Sequence, residues 1–276
     1  MADLQRITSL QNPLVQQARS LDRRKERKDS SLFIAEGAKV IATARDRGWR
    51  PETLFIADTE AKGGIVRDVL DWARGAGARC VSVSDKIAEA LSARDNPQAL
   101  IGVFKQRWAT APQAATGTWV ALEEVRDPGN LGTIIRTVDA VGGGGVILVG
   151  TSCDPYARDA VRASMGSIFG VKVAAMAKAD FVVWRQSWPG DVVGTHLDAA
   201  EDYRATYAQP VLLLMGSEGP GLSEDIAAAA TRLVKIPIAA GGADSLNLAV
   251  ATGLMLYEVR RAFLPDARPP PTKMRL

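Results

Sequence analysis

The chain has 276 residues, 47% of them hydrophobic and 24% charged, which is the make-up of an ordinary globular protein long enough for two modest domains. No apolar run reaches the roughly 18 residues of a membrane helix and the N-terminus MADLQRITSLQNP lacks a signal layout, so a cytoplasmic protein is expected. Two distant cysteines, Cys80 and Cys153, and the single His196 exclude a disulfide framework, a thiolate zinc site and a multi-histidine metal centre. The net charge of +3 conceals an asymmetry: residues 1–50 hold 11 Lys/Arg against 6 Asp/Glu and residues 260–276 hold 5 against 1, whereas residues 51–259 hold 18 against 24. Basic ends around an acidic middle suggest a polyanion met by the termini. Arg23, Arg24, Arg27 and Lys28 are the candidate contacts, although a charge run of this kind is equally a solvated helix face.

In chain order, Asn12 and Pro13 form a helix-start pair, followed by Leu14, Val15, Ala18 and Leu21 at helical spacing within 12–30. Strands are expected at 32–37, 53–57, 78–84 and 99–105, with helices to about 47, over 62–76 and over 84–93. Residues 107–118, rich in Ala, Thr, Gly and Pro, look like an interdomain linker. The alternation resumes with strands at 119–125, 146–150, 171–175, 191–197, 211–217 and 232–238, and helices at 132–141, 157–165, 179–186, 223–230 and 246–263. These later strands are continuous apolar runs, the pattern of a parallel sheet buried on both faces. The tail DARPPPTKMRL should be extended.

Three loops lie just beyond the carboxyl ends of expected strands, where open parallel sheets place ligands. In RDPGNLGTIIRT (126–137), Asn130 can cap the next helix, Gly132 permits close backbone approach, and Arg136 offers a planar guanidinium to a phosphate or carboxylate. In MGSEGPGLSEDI (215–226), Gly216 and Gly221 have P-loop spacing, but Leu222 stands where that motif needs lysine, which argues against nucleotide triphosphate hydrolysis. In IPIAAGGADSLNLAVATG (236–253), Ser245, Leu246 and Asn247 gather at a helix start. Each loop alone is also compatible with an ordinary capped turn. His196, Cys80 and Cys153 read as structural or surface residues.

Taken together, NLGTIIRT, VRASMGSIF, LLLMGSEGPGLS and IPI followed six residues later by SLNLAVA resemble the SpoU/TrmH branch of the SPOUT RNA methyltransferases over roughly 118–263. The stretch ITSLQNPLVQQARSLDRRKERKDSSLFIAEGAKVI is similar to the substrate-binding domain that precedes this domain in many members. The resemblance implies an α/β fold with a small N-terminal RNA-binding domain (1–106), a linker (107–118), a SPOUT domain with a parallel sheet and deep trefoil knot (119–264), and a basic tail (265–276).

It further implies S-adenosylmethionine as cofactor, held by Met215, Gly216, Ile236, Pro237 and Leu246. The polar site would comprise Asn130, Arg136, Glu218, Ser245 and Asn247, with a ribose 2′-hydroxyl as acceptor. A guanidinium is a poor base, so Arg136 is expected to stabilise the developing alkoxide and fix the target phosphate. The second serine that many members carry shortly after the SLN triplet is Ala249 here. A homodimer is implied, acting on ribosomal RNA first and tRNA second. An inactive RNA-binding or assembly factor and an enzyme of a small metabolite are the competing classes.

Overall fold

The computed structural model describes residues 4–58, 64–93, 98–111 and 116–265; parts of the expected linker and the Pro-rich tail from 266 lie outside them. The N-terminal elements are β1 (Gln5–Ile7), α1 (Pro13–Ser20), α2 (Arg24–Ser30), β2 (Leu32–Glu36), α3 (Ala38–Asp46), β3 (Pro51–Ala57), α4 (Gly64–Gly75), β4 (Arg79–Val83), α5 (Asp85–Ser92) and β5 (Leu100–Lys105). They build a five-stranded mixed sheet in the order β1-β4-β3-β5-β2, with β5 antiparallel to both its neighbours.

The second half contains β6 (Thr118–Glu123), α6 (Pro128–Ala140), β7 (Gly145–Val149), α7 (Arg158–Ala163), β8 (Lys172–Met176), α8 (Lys178–Arg185), β9 (Val192–Thr195), β10 (Glu201–Asp202), β11 (Val211–Met215), α9 (Glu224–Ala228), β12 (Arg232–Lys235) and α10 (Leu248–Arg260). Its seven strands run in the order β10-β12-β9-β11-β6-β7-β8, all parallel. The apolar runs in β6, β7 and β11 are buried throughout, as their composition predicts. Parallel strands direct all their carboxyl ends to one edge, so the three loops of interest meet there.

The two sheets share a core. Phe33, Trp49, Phe104, Tyr156 and Phe169 form one aromatic cluster, with Phe33 and Tyr156 centroids 4.7 Å apart and the Trp49 indole donating to the Phe169 carbonyl at 2.8 Å. Ion pairs flank it. Glu36, almost wholly buried, receives Arg158 at 2.9 Å and Arg162 at 2.6 Å, and Arg158 also reaches Asp22.

Three expectations change. The stretch 12–30 is two helices: α1 ends at Ser20, and the guanidinium of Arg27 reaches back to the Leu21 and Asp22 carbonyls at 2.8 and 2.9 Å while pairing with Asp154 at 2.7 Å. Second, α6 starts at Pro128 rather than near 132, and its cap is Asp127, whose side chain accepts from the Asn130 amide at 2.6 Å. Third, Gly132 makes room for a helix rather than a ligand: a Cβ there would lie 2.3 Å from the Ala160 carbonyl of α7.

Candidate active site

A cavity of about 460 Å³ opens at the carboxyl ends of β9, β11 and β12, against the N-terminus of α10. Met215, Ile236, Ile238, Leu246 and Leu248 give it an apolar lining, and Ser217, Glu218, Ser245 and Asn247 add polar groups. The loop after β11 folds back on itself through a bridge between Ser217 and Gly221. Gly216 is needed for that turn, because a Cβ would lie 2.0 Å from the Gly221 carbonyl carbon. Leu222, which breaks the P-loop pattern, is buried against Gly194 and anchors the end of the loop.

Beyond the loop, Ser223 donates both its amide (2.8 Å) and its hydroxyl (2.6 Å) to Glu123 at the end of β6, and Lys178 pairs with the same carboxylate at 2.6 Å. Burial pushes the Glu123 carboxyl up, but the hydrogen bonds from Lys178 and Ser223 together outweigh it and hold the group below its ordinary range. Lys178 is raised by the same hydrogen bond.

Beside the cavity, three residues from separate parts of the chain, Asn130 in the first turn of α6, Glu218 in the loop after β11 and Asn247 at the start of α10, form a directed chain. Asn130 donates through Nδ2 to Glu218 Oε1 at 2.8 Å, and its Oδ1 accepts from Asn247 Nδ2 at 3.0 Å. The carboxylate can only accept, so it orients the Asn130 amide, which orients Asn247 in turn. Asn247 is left with its oxygen toward α10, where it accepts from the Ala249 and Val250 amides and caps the helix. The cap of α6 is Asp127 rather than Asn130, the residue expected from the sequence, so both ends of the Asn130 amide serve this chain. Cys153 sits near its acidic end: burial first, then the nearby Asp127 carboxylate, pushes its thiol up to about 11.

The structure therefore gathers Met215, Gly216, Glu218, Ile236, Ser245, Leu246 and Asn247 in the cavity wall and joins Asn130 to them. Pro237 is exposed and outside the lining, between Ile236 and Ile238. Arg136 is exposed on α6, about 9 Å along the helix axis from Asn130, and makes no hydrogen bond or ion pair among the described residues. Of the four expected polyanion contacts, Arg23, Arg24 and Lys28 are exposed, but Arg27 is 5% exposed and committed to Asp154 and backbone carbonyls, so it faces no nucleic acid.

Sequence reasoning missed Thr195, His196, Leu197 and Asp198, which line the cavity beyond β9. His196 is a wall residue whose Nδ1 accepts from the Asp198 amide at 3.2 Å. The position of these residues after a parallel strand was the available signal. Among the described residues, no cluster of three or more His, Cys, Asp and Glu could hold a metal ion, and no helix is long and apolar enough to cross a membrane.

Residues 117–257 match the SpoU rRNA Methylase family, and residues 12–102 match the MRM3-like substrate binding domain. An AdoMet-bound rRNA methyltransferase from Sinorhizobium meliloti superposes with a TM-score of 0.86 and 43% identity, covering 95% of this chain and 99% of that one. The 23S rRNA (uridine(2479)-2′-O)-methyltransferase of Streptomyces viridochromogenes is 30% identical, covering 93% of this chain and 92% of its own length. An uncharacterized tRNA/rRNA methyltransferase of Synechocystis is 31% identical over 94% of this chain and 95% of its own length. With half the chain matched by the family and relatives aligned almost end to end, this protein belongs to the SpoU rRNA methylase family.

Proposed function

We propose that the chain transfers a methyl group from S-adenosylmethionine to a ribose 2′-hydroxyl of ribosomal RNA. The observation that carries this reading is the Asn247–Asn130–Glu218 chain at the mouth of the cavity. The cavity suits the cofactor: its volume lies in the range of small-molecule sites, its lining is apolar, and the close turn at Gly216 exposes backbone groups for adenosine. Met215, Gly216, Ile236 and Leu246 would hold it, joined by His196 and Leu197 from the wall after β9. When bound, the cofactor supplies a methyl group already activated on a sulfonium.

Glu218 has Oε1 committed to Asn130, which leaves Oε2 to accept a hydrogen bond from the substrate hydroxyl. As the oxygen of that hydroxyl gains a bond to carbon it becomes positive and acidic, so a carboxylate held beside it can take its proton. Asn130 and Asn247 fix the carboxylate beforehand, and alignment of the attacking oxygen supplies much of the rate. Arg136, on the exposed face of α6, suits a target phosphate better than proton removal.

The expected homodimer is supported by an apolar stripe on and before α10, where Leu246, Val250, Leu254 and Tyr257 are 38%, 52%, 38% and 53% exposed. The expected trefoil knot is supported by the way segment 236–247 returns to the loop 215–222 so that both line one cavity. The deciding experiment is transfer of labelled methyl from S-adenosylmethionine to in vitro transcribed 23S rRNA, with tRNA in parallel and the product mapped as an alkali-resistant linkage. Cofactor binding with no transfer to either RNA would favour the inactive RNA-binding reading.

A further inference from the structure

From the segment between the two sheets, we infer that Trp108 is a stacking platform for an unpaired nucleobase of the RNA substrate, an inference that rests on the RNA reading above. Trp108 is 47% exposed, yet its ring is held on two sides. Its indole N–H donates to Gln106 Oε1 at 3.0 Å, and the ring meets Tyr156 edge-on at a centroid distance of 5.4 Å. Both supports are themselves fixed. Gln106 donates to the carbonyls of Arg27 and Leu32 at 3.1 and 3.2 Å, and the buried Tyr156 hydroxyl both donates to the Arg107 carbonyl and accepts from the Arg107 amide. An apolar ring ordered this way with a large exposed area has already lost the conformational freedom that binding would otherwise cost.

The surroundings point to a polyanion. Gln106 joins Trp108 to α2, whose Lys25 and Lys28 are exposed and make no ion pair among the described residues. On the other side, the Ala109 amide donates to the Val173 carbonyl at 2.8 Å, next to exposed Lys172 on the edge strand β8. The same α2 helix carries Arg24, which donates to the Ser152 carbonyl beyond the carboxyl end of β7, the edge of the sheet that bears the cavity. An RNA strand following α2 from Trp108 thus reaches the carboxyl edge where Asn130 and Glu218 stand. Cations spaced along a path with an exposed aromatic face are what single-stranded RNA recognises.

The test is fluorescence and calorimetric titration of the full chain with a twelve-residue oligoadenylate, alongside the methyl-transfer assay on the 23S transcript. Trp108→Ala should weaken oligoadenylate binding by about tenfold and remove most of the tryptophan quenching, Trp108→Phe should retain most of the affinity, and S-adenosylmethionine binding should be the same in all three. Equal oligoadenylate affinity in Trp108→Ala and wild type, or no binding by wild type, would overturn the inference. Loss of binding in Trp108→Ala by a chain that methylates no RNA would sustain the platform and refute the methyltransferase reading instead.

Discussion

Replacing Arg27 with alanine tests whether the most basic stretch of the chain is structural at its centre. The Arg27–Asp154 pair is nearly buried on both sides, at 5% and 11% exposure, and the same guanidinium satisfies the Leu21 and Asp22 carbonyls at the end of α1. Removing one partner of such a pair leaves an uncompensated charge, at a cost of about 3–5 kcal/mol. For a chain of this size that corresponds to a fall of about 6–10 °C in Tm. Arg27→Lys should fall between, since an ammonium restores the charge but not the fork of donors. The double variant Arg27→Leu with Asp154→Leu should recover only part of the loss, because it removes the buried charge but leaves the Leu21 and Asp22 carbonyls and the Tyr156 amide without these partners. Circular dichroism melts give these values, and an Arg27→Ala midpoint within 2 °C of wild type would refute the reasoning. In parallel RNA titrations, Lys28→Ala should reduce the salt dependence of affinity by roughly one counterion, and folded Arg27→Ala by none.

Gly216→Ala should weaken S-adenosylmethionine binding about 5- to 150-fold by calorimetry, from an overpacking cost of about 1–3 kcal/mol at a Cβ 2.0 Å from the Gly221 carbonyl carbon. Arg136→Ala should lower methyl transfer by about 10²-fold with cofactor affinity within twofold, and wild-type turnover would remove Arg136 from the site. The lowered Glu123 carboxyl contributes stability that is present above its ordinary value of 4.5 and lost as pH falls, while the raised Lys178 contribution holds below 10.5 and is lost above. The Tm gap between wild type and Glu123→Gln should therefore be widest between those limits and narrow as the pH falls below 4.5. Cys153, with its thiol pushed up to about 11, should resist iodoacetamide at pH 8 in the folded chain and react once the chain is unfolded, as read by intact mass.

Periodicity and apolar runs located nearly every long element, because β6, β7 and β11 are buried on both faces and carry no other pattern. The two-residue strand β10 and the three-residue β1 have no comparable signature. The break between α1 and α2 contains neither glycine nor proline; it is held by Arg27, a residue more than a helical turn away whose sequence context suggests a wetted charge. The cap of α6 is readable in the sequence, since Asp127–Pro128 repeats the logic of Asn12–Pro13. His196 reads as structural or surface from the sequence, yet its position beyond a parallel strand places it in the wall. Arg136 is the reverse case: the motif names it, and a single chain leaves it exposed on α6.

The aromatic cluster and ion pairs between the sheets bear on how this architecture can be re-engineered or can diverge. One route to a new RNA target is to exchange the first hundred residues for those of a relative, leaving the methyl-transfer half intact. Such a graft has to supply counterparts of Arg27, Glu36, Phe33 and Trp49, which Asp154, Arg158, Arg162 and Phe169 require. Retargeting must therefore carry both sides of the junction together, or change exposed positions such as Lys28 and Trp108 while leaving the seam untouched.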